Sequence, residues 1–448
     1  MSKHRSGRFA VLDRVVAFAG GRPLMDIAAI LTLVCLALPQ AATFIRNVGP
    51  YTVPDPDLHT TTAYALATGQ SFNSTRMVTD SWGNVNKRLV ISGDERYLTG
   101  QLPYNKSLGD IIGNPLQMDE TIVAQRNQLS ESGKTITAYP RATQYMFVAY
   151  VPQAIGLDIG WSLGKSPYTT LQIARLCNFI FYLALGITSI ALIPQCKWLA
   201  TVILSLPASI FAASSLMTDG TFLAMSMLAV ALILRIRERD VCVNMSSLVA
   251  LCLVFGFLIF GKILYASAAL LVLVFPSRVM SPRMKIRFVC CMAFFSFVYL
   301  IWGYVYSGGF FNVNYGVNRE YAAHHILKTV VLVCNNIVFM PQTLVTSDIY
   351  SIGSVGLIIC VWLVTHFYTR SSARQAYSPR EWISRYRYAL ASMISIGLSL
   401  VATVLFVALT WNDLEHTRAF GPLLGIQGRY ILPLLPLLAP MIPSRKCD

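Results

Sequence analysis

The chain has 448 residues, 55% of them hydrophobic and only 13% charged, which excludes an ordinary soluble domain of this size. Its formal charge of +15 sits in short clusters beside apolar runs, a signature of membrane topology and not of nucleic-acid binding. Ten cysteines are scattered through apolar stretches and none falls between Asn47 and Pro140, so no structural disulfide is expected.

In chain order, Lys3, Arg5, Arg8 and Arg14 precede an apolar run from Met25 to Phe44, which at roughly 20 residues is long enough to span a bilayer. It exceeds the apolar region of a cleavable signal and reads as an uncleaved anchor. The polar segment that follows, to Pro140, has about 95 residues and is too long for a connector. Tyr145 to Trp161 is apolar but contains Pro152, Gly156 and Asp158, and reads as an interfacial or re-entrant helix.

Further apolar runs cover Leu171 to Ile193, Leu199 to Leu216, Phe222 to Leu234, Leu248 to Phe260, Leu264 to Phe275, Phe288 to Tyr306, Ile352 to Tyr368, Tyr388 to Leu409 and Tyr430 to Ile442. Basic clusters lie at Arg235 to Arg239, Arg278 to Arg287, Arg370 to Arg387, and Arg445 with Lys446. Placing all of them and the amino terminus in the cytoplasm requires even numbers of crossings between them. About ten spans (10–11 at most) are expected in an all-α integral membrane protein; ten satisfy that parity, whereas counting residues 145–161 as a crossing would break it. The pair Leu248 to Phe260 and Leu264 to Phe275 is then a hairpin with Gly261 and Lys262 at its outer tip.

The expected organisation is a cytoplasmic terminus (1–24), a first span (25–45), an extracytoplasmic segment (46–170) and a multi-helix membrane domain (171–448). An outer loop over 307–350 holds an aromatic, Asn-rich stretch and His324 and His325, with room for another interfacial helix. Adjacent histidines diverge on a helix and favour a structural role over a metal site. No Walker motif, dinucleotide fingerprint, zinc-type cysteine spacing or internal repeat is evident.

Groups capable of chemistry fall on the outer side. Pro54-Asp55-Pro56-Asp57-Leu58-His59 sets two carboxylates and an imidazole beside the first span, suited to general-base work or to holding a divalent cation. A solvated acidic turn is the plainer reading. Asp219 and Lys262, with Tyr265, lie at span boundaries, where ionisable residues point to function; capping and snorkelling are the structural alternatives. Arg175, and Arg429 in Gln427-Gly428-Arg429-Tyr430, are suited to phosphate, which arginine binds bidentately.

Taken together, Asp55 to His59, Tyr139-Pro140, Tyr150 to Gly156, Arg175-Leu176-Cys177-Asn178, Ser214 to Asp219, Gly261-Lys262 with Tyr265, and Gln427 to Pro433 resemble, in order, a bacterial membrane protein family of unknown function. That family is similar to the GT-C superfamily of glycosyltransferases. The resemblance implies transfer of a sugar from a polyprenyl-phosphate donor to a cell-envelope glycan or lipid-linked acceptor, at the outer face of the inner membrane. It implies Asp55 or Asp57 as base with His59 beside them, and Arg175, Asp219, Lys262, Tyr265, Gln427, Arg429 and Tyr430 around the substrate. Where family members read Asp-Glu-Pro, this chain has Asp55-Pro56-Asp57, so both acids stay open as the base. A Mg or Mn ion is compatible but not required. The competing readings are a transporter or flippase, or a polymerase, of lipid-linked saccharides.

Overall fold

The structure is a computed structural model that describes residues 24–53, 55–79, 85–99, 115–131, 133–140, 145–239, 242–306, 313–346, 358–366 and 379–442. Six helices among the described residues are long and apolar enough to cross a membrane: Leu24–Asn47, Pro167–Leu192, Asp219–Glu238, Met245–Leu273, Pro282–Tyr306 and Tyr386–Trp411. That is fewer than the ten spans expected, because several apolar runs are broken and fall below this length.

Each break has a local cause. The Leu199 to Leu216 run folds as α-helices Lys197–Ser205 and Pro207–Ala213. Leu206, at φ −58° and ψ 140°, is extended because the ring of Pro207 disfavours the helical conformation in the residue before it. The last run is a 3-10 segment, Leu432–Met441, with Pro433, Pro436 and Pro440. Prolines at that spacing deny the α-helical ladder its donors. The Ile352 to Tyr368 run is described only over residues 358–366.

Met245–Leu273 has the length of one crossing but doubles back. Helix Met245–Lys262 ends where Lys262 turns to φ −136°, and a 3-10 segment, Ile263–Ala269, follows. The amide of Val243 donates to the carbonyl of Val279 at 2.7 Å, so the two ends of the stretch meet. Gly261 and Lys262 therefore lie at the tip of the expected hairpin.

The bundle consequently has two distinguishable ends. At the far end, Lys197 pairs with Asp26 at 3.1 Å, Arg237 reaches the Pro440 carbonyl, and Lys285 donates to the carbonyls of Leu273 and Phe275. At the loop end, helix Leu24–Asn47 delivers the polar segment. Helix Val151–Ser162 lies there too, and its 12 residues reach only about 18 Å, too short to cross. It packs closely on helix Pro167–Leu192: a Cβ on Gly156 would meet the Ala174 backbone at 2.3 Å, and one on Gly160 would meet the Thr170 side chain at 2.6 Å.

The all-α expectation fails in the polar segment. Besides helices Pro56–Ala67, Glu95–Leu98 and Pro115–Ser130, it forms two antiparallel strand pairs. Thr75–Thr79 runs against Val85–Leu89 with Thr75 opposite Leu89, and Ile91–Asp94 runs against Thr135–Ala138 with Ile91 opposite Ala138. The strands are only four or five residues long and mostly polar, so they lack an apolar alternation that a sequence would display. The loop region expected over 307–350 holds two helices, Val313–His324 and Ile326–Thr346. Asn318 ties the first to the Leu409 and Asn412 carbonyls at the end of helix Pro379–Trp411.

Candidate functional site

Four charged side chains converge at the loop end. Asp55 caps helix Pro56–Ala67 at φ 53° and ψ 50°, a left-handed conformation that is unfavourable for a non-glycine residue and more so before proline. Such strain persists where the surroundings hold it, commonly at functional sites. Asp219 opens helix Asp219–Arg239 and Lys262 closes helix Met245–Lys262, each at the helix end whose partial charge favours it. Arg429 sits on the 3-10 turn Gly428–Tyr430.

Their contacts form one chain of charge. Lys262 Nζ donates to Asp219 Oδ1 at 2.5 Å, and Arg429 Nη1 lies 3.6 Å from Asp219 Oδ2. The other end of Arg429 grips Asp55, with Nη2 to Oδ2 at 2.6 Å. Asp219 is 1% exposed and Arg429 6%, and buried charges survive only when paired. Two carboxylates and two cations balance. Arg429 keeps one donor, Nε, buried without a partner among the described residues. Burial works against the charge of Arg429, but Asp219, Tyr430 and Asp55 more than offset it and hold the guanidinium above the ordinary arginine value.

Aromatic rings close around Lys262: Tyr430 at 5.1 Å, Tyr145 at 5.5 Å, Phe222 at 5.8 Å and Tyr265 at 5.9 Å from ring centroid to Nζ. At these distances the ring faces stabilise the ammonium without neutralising it. Gly261 makes the approach possible, since a Cβ there would lie 1.9 Å from the Phe222 ring. Tyr265 donates its hydroxyl to the Tyr430 carbonyl at 3.2 Å, fixing the turn that carries Arg429.

His59 lies one turn after Asp55, on the same helix face. It is 4% exposed, stacks on Tyr145 with centroids 6.4 Å apart, and its Nδ1 meets the Tyr150 hydroxyl at 2.8 Å. Burial, together with Arg429 nearby, pushes the imidazole down to about 4 despite Asp219 and Asp55. It is neutral at physiological pH.

The cluster forms one wall of a cavity of about 300 Å³. The rest of the lining is mostly apolar and includes Tyr299 and Leu300 from helix Pro282–Tyr306, and Phe406, Val407 and Trp411 from helix Pro379–Trp411. The sequence marks the ionisable residues, and Tyr150 only as part of a motif, but not the roles of Tyr145, Tyr299 or Trp411. An aromatic in an apolar run looks like packing until tertiary structure turns it toward a charge.

Not every residue marked in the sequence arrives here. Arg175 is fully buried with its donors spent on structure: Nε on the Ser214 carbonyl at 2.7 Å, Nη1 on the Val48 carbonyl at 2.6 Å and the Gln172 amide at 2.7 Å, and Nη2 on the Phe44 carbonyl at 2.9 Å. Gln427 gives its carbonyl to the amide of Tyr430 and does not line the cavity. Asp57 lies on the first turn of its helix, but its side chain lies outside the described residues. His324 and His325 occupy the distant helix pair, where His325 stacks on Tyr321 at 4.2 Å.

Two residues that the sequence marks only as members of its family-like motifs hold Asp219 in place. Asn178 donates to the carbonyls of Ala213, Ser215 and Met217 and accepts from Thr221 at 2.9 Å. Gln153 donates to Leu216 and Met217. The turn before Asp219 is thus clamped from two helices.

Among the described residues no group of three histidine, cysteine or acidic side chains is placed to hold a metal ion. A divalent ion would have to take Asp55 and Asp219 from the cations that hold them.

A family profile described as predicted membrane protein (DUF2142) matches residues 40–438. No curated protein and no solved structure matches the chain.

Proposed function

The chain belongs to the DUF2142 family of predicted membrane proteins, and from that premise we propose that it is a membrane glycosyltransferase of GT-C type. It takes a sugar from a polyprenyl-phosphate donor and passes it to an extracytoplasmic cell-envelope glycan or lipid-linked acceptor. One observation carries the reading. Carboxylates and cations share a cavity whose remaining lining is largely apolar and aromatic, the combination that a phosphate, a sugar and a lipid chain each need in part.

About ten crossings of the inner membrane complete the topology, with the broken runs 197–213 and 432–441 among them and both termini cytoplasmic. Arg237, Arg278 and Lys285 cluster at the end opposite the cavity, which supports a cytoplasmic far end by the positive-inside rule. The cavity then faces outward.

In the reaction, the donor phosphate settles against Arg429 and Lys262. Its oxygens compete with Asp55 for Arg429 and free that carboxylate. Asp55, or Asp57, takes the proton of the acceptor hydroxyl as its oxygen attacks the anomeric carbon. The bond from that carbon to the phosphate oxygen breaks, and polyprenyl phosphate leaves with the electron pair, its charge met by Arg429 and Lys262. A single displacement inverts the anomeric centre.

The test is the sugar and linkage composition of the envelope glycan in a deletion strain carrying wild type, Asp55→Asn or Asp57→Asn, at matched membrane levels. Loss of one sugar, restored by wild type and by only one variant, supports the transferase and identifies the base. Full restoration by both variants moves a transporter or flippase of lipid-linked saccharides ahead.

A further inference from the structure

His59 lines the cavity but takes no part in the charge chain, and its surroundings decide its role. Tyr150 is fully buried, and among the described residues its hydroxyl has a single partner, His59 Nδ1 at 2.8 Å. A buried phenol proton without an acceptor is unfavourable, because its lost hydration is not replaced. Among the described residues Nδ1 is the only acceptor in contact with it, so the Tyr150 O–H donates to Nδ1. A neutral imidazole carries one protonated and one bare nitrogen; with Nδ1 accepting, the proton is on Nε2. His59 lines the cavity beside Arg429, Lys262, Asp55 and Asp219, and Nε2 is the ring nitrogen left to face it.

We propose that His59 is a substrate-binding donor, its Nε2–H aimed at a phosphoryl oxygen of the ligand held by Arg429 and Lys262, and that Tyr150 is the positioning residue that fixes this tautomer. The assignment rests on the transferase reading for the identity of the ligand. It removes His59 from the candidates for general base, because its only free ring nitrogen already carries a proton. Deprotonation of the acceptor falls to a carboxylate. It also explains the neutrality of the ring: an imidazolium would add a third cation to a balanced cluster, whereas a neutral donor adds direction without charge.

The groups that face the ring are Asp55 on its own helix, Asp219, Lys262 and Arg429 from the membrane bundle, and Tyr145 and Tyr150 alongside it. Among these groups the carboxylates of Asp55, which holds Arg429 through Oδ2 only, and Asp219 are the acceptors that compete with a ligand for Nε2–H.

The first arm of the test is nitrogen NMR on the full-length protein labelled at histidine in lipid nanodiscs, with His59→Gln to assign the signal. The expected spectrum has Nε2 protonated and Nδ1 bare from pH 5.5 to 8, and Tyr150→Phe mixes the two tautomers. A proton on Nδ1, or an imidazolium at pH 6, overturns the assignment whatever the enzyme does. The second arm measures binding of geranyl phosphate. Glutamine places an amide N–H near the position of Nε2 and asparagine near that of Nδ1, so His59→Gln should bind within about threefold of wild type and His59→Asn at least tenfold more weakly, the size of one hydrogen bond of about 1.4 kcal/mol. Equal binding by both variants, or no binding by wild type, overturns the phosphoryl contact. Failure of the transferase reading would show separately, as a normal glycan in the Asp55→Asn and Asp57→Asn strains.

Discussion

Arg175 and Arg429 are both buried, both lie at the loop end of the bundle, and both suit phosphate on paper, yet they are employed differently. The guanidinium of Arg175 faces carbonyls, and it ties the last turn of helix Leu24–Asn47 to Ser214. Helix ends leave carbonyls without intrahelical partners, and a planar, permanently charged fork satisfies several of them at once. Arg429 faces carboxylates across a cavity and keeps a donor in reserve. A charge saturated by fixed dipoles has nothing left for a ligand, whereas one held by ionisable partners can exchange them.

Substitutions can break that comparison. The largest stability effect is expected at Arg175→Met, which leaves buried carbonyls unpaired and should cost about 3–5 kcal/mol. Thermal melting in nanodiscs should fall accordingly, with little rescue by Arg175→Lys, whose single ammonium cannot span the same carbonyls. An unchanged melt would show that the clamp is dispensable. Arg429→Met should instead lower transfer by at least about 100-fold with a smaller loss of stability; wild-type glycan in that strain would remove Arg429 from the mechanism.

Smaller effects sharpen the contrast. Gly261→Ala drives a methyl into Phe222 and should cost about 1–3 kcal/mol by overpacking, part of which a smaller residue at Phe222 recovers. The pH dependence should also be local. His59 titrates at about 4 when folded and near 6.5 when unfolded, so the unfolded chain binds the extra proton between those values. Its contribution is complete above pH 6.5 and is lost as pH falls toward 4, by roughly 3 kcal/mol at most. His59→Gln should flatten that limb, and a limb that persists belongs to another group. Smallest is Tyr265→Phe, which loses one bond to the Tyr430 carbonyl and about 1 kcal/mol.

Much of the helical frame is legible in the sequence because long apolar runs leave few alternatives in lipid. Met25 to Phe44 and Leu171 to Ile193 fall inside Leu24–Asn47 and almost wholly inside Pro167–Leu192, and the doubling back at Lys262 follows from charge parity. What is not legible depends on partners far away in the chain. Four-residue strands are stabilised by each other and not by their own composition. Pro207 signals a break, but not whether the two halves stay in line. At the site, Asp55, Asp219, Lys262 and Arg429 are conspicuous as charges beside apolar runs. Their separation in sequence hides that Arg429 bridges both acids, and nothing at Arg175 announces that its donors are already taken. Gln153, Asn178 and Tyr150 act through side-chain hydrogen bonds to residues distant in sequence, which no periodicity encodes.

The 3-10 segment Leu432–Met441 has a mechanical consequence. A residue rises about 2.0 Å in this conformation and about 1.5 Å in an α-helix, so these 10 residues form a strut about 5 Å longer than the α-helix they would otherwise make. Its foot is anchored where Arg237 meets Pro440, and its head carries the turn of Arg429. The prolines prevent the strut from shortening into an α-helix, so the height of that guanidinium above the far end of the bundle is set by the length of a rod that cannot contract.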